Sequence, residues 1–191
     1  MDRQRTLFLI EVALFTALAF ILDNVPFLKF KIWGNGGSIS LVMIPIFLIA
    51  FRWGLKGGLL AGFLLGCLKL LFGGYILNPF QVLIEYGLAF TVLGFAGIFA
   101  RKISEAVKDR QIKTYLSYIT AGIILGSVLR FLCHLFAGVI FWAESTPDGW
   151  NYWAWSFMYN ISYMLPSTII CVLGTFLLFN QQPKALLKKA V

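Results

Sequence analysis

Residues 115–141 read YLSYITAGIILGSVLRFLCHLFAGVIF, an apolar run in which Arg130 and His134 are the only strongly polar side chains. A helix crosses a hydrocarbon core of ~30 Å with about 20 residues, so this run is long enough to span a membrane. A transmembrane β-barrel strand would alternate apolar and polar positions, and the run does not. Further apolar segments lie at 6–24, 38–52, 56–73, 78–100 and 156–179, making six. Segments 38–52 and 56–73 are short for a span, and are expected to tilt little or to bury against neighbours where the bilayer thins. The sequence therefore predicts an all-α membrane protein: a compact bundle of six transmembrane helices forming one domain over residues 1–191.

Composition agrees. The chain is 60% hydrophobic and 13% charged, with a mean hydropathy of +0.84. Soluble domains carry about 25% charged residues, so too little polar surface is available to face water on all sides. The net charge of +8 does not indicate nucleic acid, because the basic residues are dispersed between hydrophobic segments. Cys67, Cys133 and Cys171 fall inside apolar segments without metal-ligand spacing and read as small apolar residues. The N-terminus has Arg3 and Arg5 before an apolar run and an Ala17-Leu18-Ala19 triplet, as a signal peptide would. Glu11 interrupts that run, and it is read as the first transmembrane helix.

Basic residues fix the expected orientation. With the N-terminus inside, the inner segments carry Arg3, Arg5, Arg52, Lys56, Arg101, Lys102, Lys108, Arg110, Lys113, Lys184, Lys188 and Lys189, twelve of sixteen. The outer connections carry Lys29, Lys31 and Lys69. Both termini are thus expected to be cytoplasmic. The connection VPFLKFKIWGNGG, residues 25–37, is then external and too apolar to float in water. It reads either as a lid turning Trp33 into the bundle or as an interfacial anchor of Trp and Lys. Gly58, Gly62 and Gly66, like Gly122 and Gly126, have the GxxxG spacing that lets helices approach closely, and are read as packing within the bundle. Ala13 and Ala17 form a similar pair.

The candidate chemistry lies in the outer half. Glu85 falls in an apolar segment, where a carboxylate at the membrane centre costs about 2.5–3.5 kcal/mol. It either pairs with Arg130 or Lys69, or receives a cationic group of a ligand. Arg130 and His134 share a helix face. Trp142, eight residues beyond His134, would sit about 12 Å further along a continuous helix, so both reach one ring only if the helix ends early or the side chains lean together. Asn160, beside Tyr159, offers an amide for the edge of a heterocycle or for bridging helices. Trp142, Trp150, Trp153 and Trp155, four of the six tryptophans, crowd the loop before Asn160. Tyr75, Tyr86 and Tyr152 add further rings, which an aromatic belt also explains. Aromatic faces and one carboxylate suit an organic cation. No HExxH, GxSxG or Walker A motif is present. The expectation is a substrate-binding membrane subunit with no catalytic residue, metal or cofactor of its own.

These residues resemble the thiamine-specific substrate-binding (S) components of energy-coupling factor (ECF) transporters, the ThiT family. The likeness rests on Trp33 followed by GGSISLVMIPI, on Gly74-Tyr75 before NPFQVLIEY, on RFLCHLFAGVIFW, and on SFMYN. It implies a six-helix bundle in the cell membrane that binds thiamine near its outer face under the first outer loop. By that resemblance Glu85 binds the aminopyrimidine, Tyr86 and Asn160 read its edge, and His134 and Trp142 flank the thiazolium. Trp33 closes the lid and Tyr75 lines the pocket. Trp155 aligns where another aromatic, often tyrosine, is expected, and Tyr152 or Trp153 can substitute. Ala13 and Ala17 match the small-residue motif that docks the coupling module, a transmembrane T subunit with two ATPases. The alternatives are an S component for another flat vitamin, and a small intramembrane enzyme using His134 and Glu85.

Overall fold

A computed structural model describes residues 3–26, 29–33 and 36–187. Five helical runs are long and apolar enough to cross a membrane: Arg3–Asn24, Met43–Leu71, Pro79–Lys108, Ile112–Phe141 and Tyr152–Gln181. The second is two helices. At Gly54 the backbone takes φ 75° and ψ −163°, a conformation essentially confined to glycine. A Cβ added to Gly58 would lie 2.6 Å from the Ala50 Cβ. Residues eight apart on one helix are separated by about 12 Å, so the chain folds back on itself here. We therefore number α1 (Arg3–Asn24), α2 (43–53), α3 (55–71), α4 (Pro79–Lys108), α5 (Ile112–Phe141), α6 (Tyr152–Gln181) and a short α7 (Pro183–Leu187).

The expected six-helix bundle is present, with changed boundaries. Segment 38–52 begins as a strand. β1 (Lys29–Lys31) pairs antiparallel with β2 (Ser38–Ser40), with Phe30 opposite Ile39. The alternation of lysines and apolar residues in the first connection thus belongs to a hairpin. At about 16 Å, α2 covers roughly half the hydrocarbon thickness. It is buried centrally, with Ile46, Phe47, Ile49 and Phe51 enclosed with Leu65, Leu93, Ile119, Ile123 and Phe179.

The glycines pack within the bundle. A Cβ on Gly58 would come 2.7 Å from the Gly94 Cα, and Gly62 and Gly66 abut the carbonyls of Phe90 and Tyr86. Gly122 and Gly126 receive the rings of Phe51 and Phe47. α3 and α4 therefore run antiparallel at backbone contact, which fixes the height of Tyr86, and of Glu85 beside it, against α3.

Glu11 is compensated inside the molecule. Arg52 donates from Nε and Nη2 to its two oxygens at 2.5 and 2.6 Å, and Trp53 Nε1 donates at 2.5 Å. Arg52 Nη1 also reaches the carbonyls of Ala185 at 2.9 Å and Leu186 at 3.1 Å. This network gathers the start of α1, the Gly54 turn and α7 at one end of the bundle. The hairpin and the 142–151 loop close the opposite end. Lys188 and Lys189, counted among the inner charges, lie outside the described residues.

Candidate functional site

Beneath the β1–β2 hairpin lies a cavity of about 760 Å³, walled by the hairpin-side ends of α1, α3, α4, α5 and α6. Its α4 wall starts with an Asn78-Pro79 signal. The Asn78 side chain accepts from the Gln81 backbone N–H at 2.9 Å and proline occupies the first helical position, where its missing N–H costs nothing. One turn later the helix widens to π form over Leu83–Leu88. Such turns concentrate at functional positions, and this one carries Glu85 and Tyr86, both lining the cavity.

Two neutral donors hold the Glu85 carboxylate. Trp142 Nε1 donates to Oε1 at 3.0 Å, and Gln81 Nε2 donates to Oε2. Among the described residues no cation forms an ion pair with it. Of the two partners considered from sequence, Lys69 is paired with Asp23, which also takes Lys29 Nζ at 3.2 Å. Arg130 lies 4.4 Å from the centre of the Phe90 ring and its Nε donates to His134 Nε2 at 3.4 Å. The pairing of Glu85 with Arg130 or Lys69 is thereby excluded.

Trp142 reaches Glu85 because α5 ends at Phe141 and Trp142 leaves the helical course, at φ −120° and ψ 17°. Its ring packs 5.3 Å from that of Tyr75, while Tyr86 Oη accepts the Tyr75 backbone N–H at 2.8 Å. His134, Trp142 and Tyr75 share the cavity lining. α5 runs to its expected end, with the Trp142 N–H still donating to the Gly138 carbonyl at 3.2 Å, so both side chains reach one cavity without an early helix end.

The opposite wall is a ladder on α6. Trp155, Tyr159 and Tyr163 recur every four residues, with successive ring centres 6.3 and 5.9 Å apart. Asn151 caps this helix by accepting the N–H groups of Trp153 and Ala154, so α6 begins four residues before the expected segment. Asn160 consequently sits two turns inside, buried. Its Nδ2 donates to the Ser156 carbonyl at 2.8 Å and its Oδ1 accepts from the Tyr163 hydroxyl at 2.6 Å. Nδ2 also reaches the His134 carbonyl of α5 at 3.4 Å, so the amide is largely committed to braces within α6 and to bridging α6 and α5. Trp155 lines the cavity, whereas Tyr152 and Trp153 are exposed, Trp153 against Phe136. That separates the three candidate loop aromatics.

The hairpin caps this wall. The Gly37 N–H donates to Tyr159 Oη at 2.8 Å, and Gly37, Ser38 and Ser40 line the cavity. Trp33 does not line it. Its indole packs 5.5 Å from Trp155 and 5.6 Å from Tyr159, and Nε1 donates to Ser162 Oγ at 2.9 Å. Trp33 thus clamps the hairpin to α6 from behind the ladder.

Residues 9–187 match the family model described as thiamine transporter protein (Thia_YuaJ). The chain belongs to this thiamine transporter protein family. It is 39% identical over 179 residues to the thiamine transporter ThiT of Bacillus subtilis, covering 93% of each chain. It is 31% identical over 185 residues to ThiT of Lacticaseibacillus paracasei, covering 95% of this chain and 90% of that one. The solved structure of ThiT from Listeria monocytogenes superimposes with a TM-score of 0.90 at 34% identity, over 97% of this chain and 100% of that one. Membership in the thiamine transporter protein family assigns transport, not catalysis, and a multi-pass membrane protein.

Within this family member, Tyr75, Glu85, Tyr86, His134, Trp142, Trp155 and Asn160 converge on one cavity. Trp33 lies behind its wall, Trp150, Tyr152 and Trp153 are exposed, and Ala13 and Ala17 lie on the exposed face of α1. Sequence reasoning missed Asp23, Gln81 and Tyr163. Asp23 ends an apolar run, where it reads as a helix-end residue, and its partner Lys69 is 46 positions away. Tyr163 carried a usable signal, the four-residue spacing from Trp155 and Tyr159. No group of three or more His, Cys, Asp or Glu able to hold a metal occurs among the described residues.

Proposed function

We propose that this chain is the high-affinity thiamine-binding S component of an ECF-type, ATP-driven vitamin uptake transporter. The observation that carries this reading is the state of Glu85: a carboxylate at the cavity wall, held by two neutral donors and left without a cationic partner among the described residues. An anion kept at membrane depth in this way calls for a cationic or amine-bearing guest. Thiamine supplies an aminopyrimidine for Glu85 and a positive thiazolium for the aromatic faces. His134 and Trp142 flank the thiazolium, Tyr86 reads the pyrimidine edge, and Asn160 acts there mainly through Tyr163. Trp155 and Tyr75 supply walls, and Trp33 locks the hairpin lid.

The charge asymmetry supports cytoplasmic termini, with the cavity on the outer side. Ala13 and Ala17 then dock a partner T subunit, and two ATPase subunits supply the energy. A subunit for another flat vitamin is the second reading. A neutral ligand would leave Glu85 uncompensated, which favours thiamine.

The test is a tryptophan fluorescence titration of the purified chain in detergent, since indoles surround the cavity. Thiamine is expected to quench the signal. Glu85→Gln is expected to weaken binding about 30-fold or more, the lower end (~2 kcal/mol) for breaking a buried hydrogen-bonded charge pair. Quenching by riboflavin or biotin but not thiamine would transfer the assignment to the second reading.

A further inference from the structure

We infer that Gln81 is a positioning residue that sets the discrimination for the ligand's amino group. This rests on the reading that Glu85 receives that amine. Gln81 does not line the cavity and is fully buried. Its carboxamide nevertheless has every face in use. Nε2 donates to Glu85 Oε2 and to the Tyr75 carbonyl at 3.2 Å, and Oε1 accepts the Leu77 N–H at 3.2 Å.

These bonds close a circuit. Gln81 joins Glu85 to the 75–77 turn, Tyr75 packs on Trp142, and Trp142 Nε1 returns to the other oxygen of Glu85. One donor on each oxygen fixes the plane of the carboxylate, so its remaining lone pairs face the cavity in one orientation. The π turn sets the height of Glu85, and the Gln81 amide sets its torsion. A carboxylate with only one of these donors can rotate about its last bond, and it then loses alignment with an incoming N–H. An apolar residue at 81 would also take the acceptor from the Leu77 N–H and loosen the 75–77 turn. The arrangement therefore links ligand chemistry to a residue the ligand never touches.

The experiment titrates two probes into the intact chain: thiamine, and its analogue with hydrogen in place of the pyrimidine amino group. Wild type, Gln81→Met, Gln81→Asn and Glu85→Gln are compared. Met keeps the length without polar atoms, and Asn keeps an amide but withdraws it by one methylene. Both probes are measured on one preparation, so the affinity ratio reports only folded protein. Gln81→Met and Gln81→Asn are expected to lose about tenfold for thiamine while the analogue changes little, the size of one charge-assisted hydrogen bond. Equal losses for both probes would make Gln81 a scaffold residue only and overturn the inference, as would no loss. If Glu85→Gln leaves the ratio unchanged, the assignment of Glu85 to the amine falls as well. A ratio collapsed by Glu85→Gln but not by the Gln81 variants overturns the role of Gln81 alone.

Discussion

Two acids inside apolar segments meet the same insertion cost in opposite ways. Glu11 is satisfied by a two-pronged Arg52 and by Trp53, a closed arrangement with nothing left to offer a ligand. Glu85 has only neutral donors and faces a cavity. The contrast predicts unequal effects on the unliganded protein. Arg52→Ala leaves a partly buried carboxylate with the Trp53 donor alone and should cost roughly 1–3 kcal/mol of stability. Glu85→Gln removes an unpaired charge but turns an NH2 toward one of the two donors, so the two effects offset and the apo melting temperature should change little. Melting of both variants without ligand checks this, and a large loss for Glu85→Gln would mean that its carboxylate serves the fold. Glu85, His134, Trp142 and Asn160 were legible in the sequence because each is polar or amphipathic in an apolar run. Gln81 was not, since its meaning depends on a side-chain bond four residues along a turn whose π form no local pattern announces.

At the scale of elements, hydropathy located the helices but not their ends. The ends depend on single side chains: Asn151 starts α6 early, Gly54 turns one helical run into two, and Asn78 sets the start of α4. The Gly-x-x-x-Gly reading of α3 was correct because helices at backbone contact require small residues on both sides. The partner stripe on α4 went unread, as Gly94 and Gly97 are three apart and lie in a 3₁₀ stretch. A Cβ on Gly94 would run into the backbone of Gly58 and Leu59, which cannot step aside as a side chain can. Gly94→Ala should therefore push α4 from α3 and destabilise the protein by about 1–3 kcal/mol. Thermal melting measures it, and an unchanged melting temperature would show that the contact is looser than described. The first outer connection was read as lid or anchor. The hairpin covers the cavity, while Trp33 provides the anchoring, to α6 and not to the interface.

For the whole molecule, the sequence carried the membrane class, the bundle and the meeting of α1 and α7 at one end. Charge and hydropathy act over the entire chain, so they survive local misreadings. Side-to-side relations between distant segments, such as Asp23 with Lys69, have no such trace. The exposed face of α1 presents Leu9, Ile10, Leu14, Leu18 and Ile21 around Ala13 and Ala17. In the proposed reading, the small residues among large ones receive a partner helix. Ala13→Leu with Ala17→Leu should abolish thiamine uptake by cells while leaving thiamine binding in detergent intact, because the pair lies away from the cavity. Lost binding would instead make the pair part of the receptor. The central claim, that Glu85 waits for the ligand's amine, is tested most directly by a crystal structure of the thiamine complex. The account predicts the pyrimidine amino nitrogen about 2.7–3.2 Å from a Glu85 carboxylate oxygen, with the thiazolium against Trp142 and His134. Thiamine bound elsewhere, or a Glu85 turned onto Lys69 or Arg130 with the ligand in place, would contradict it.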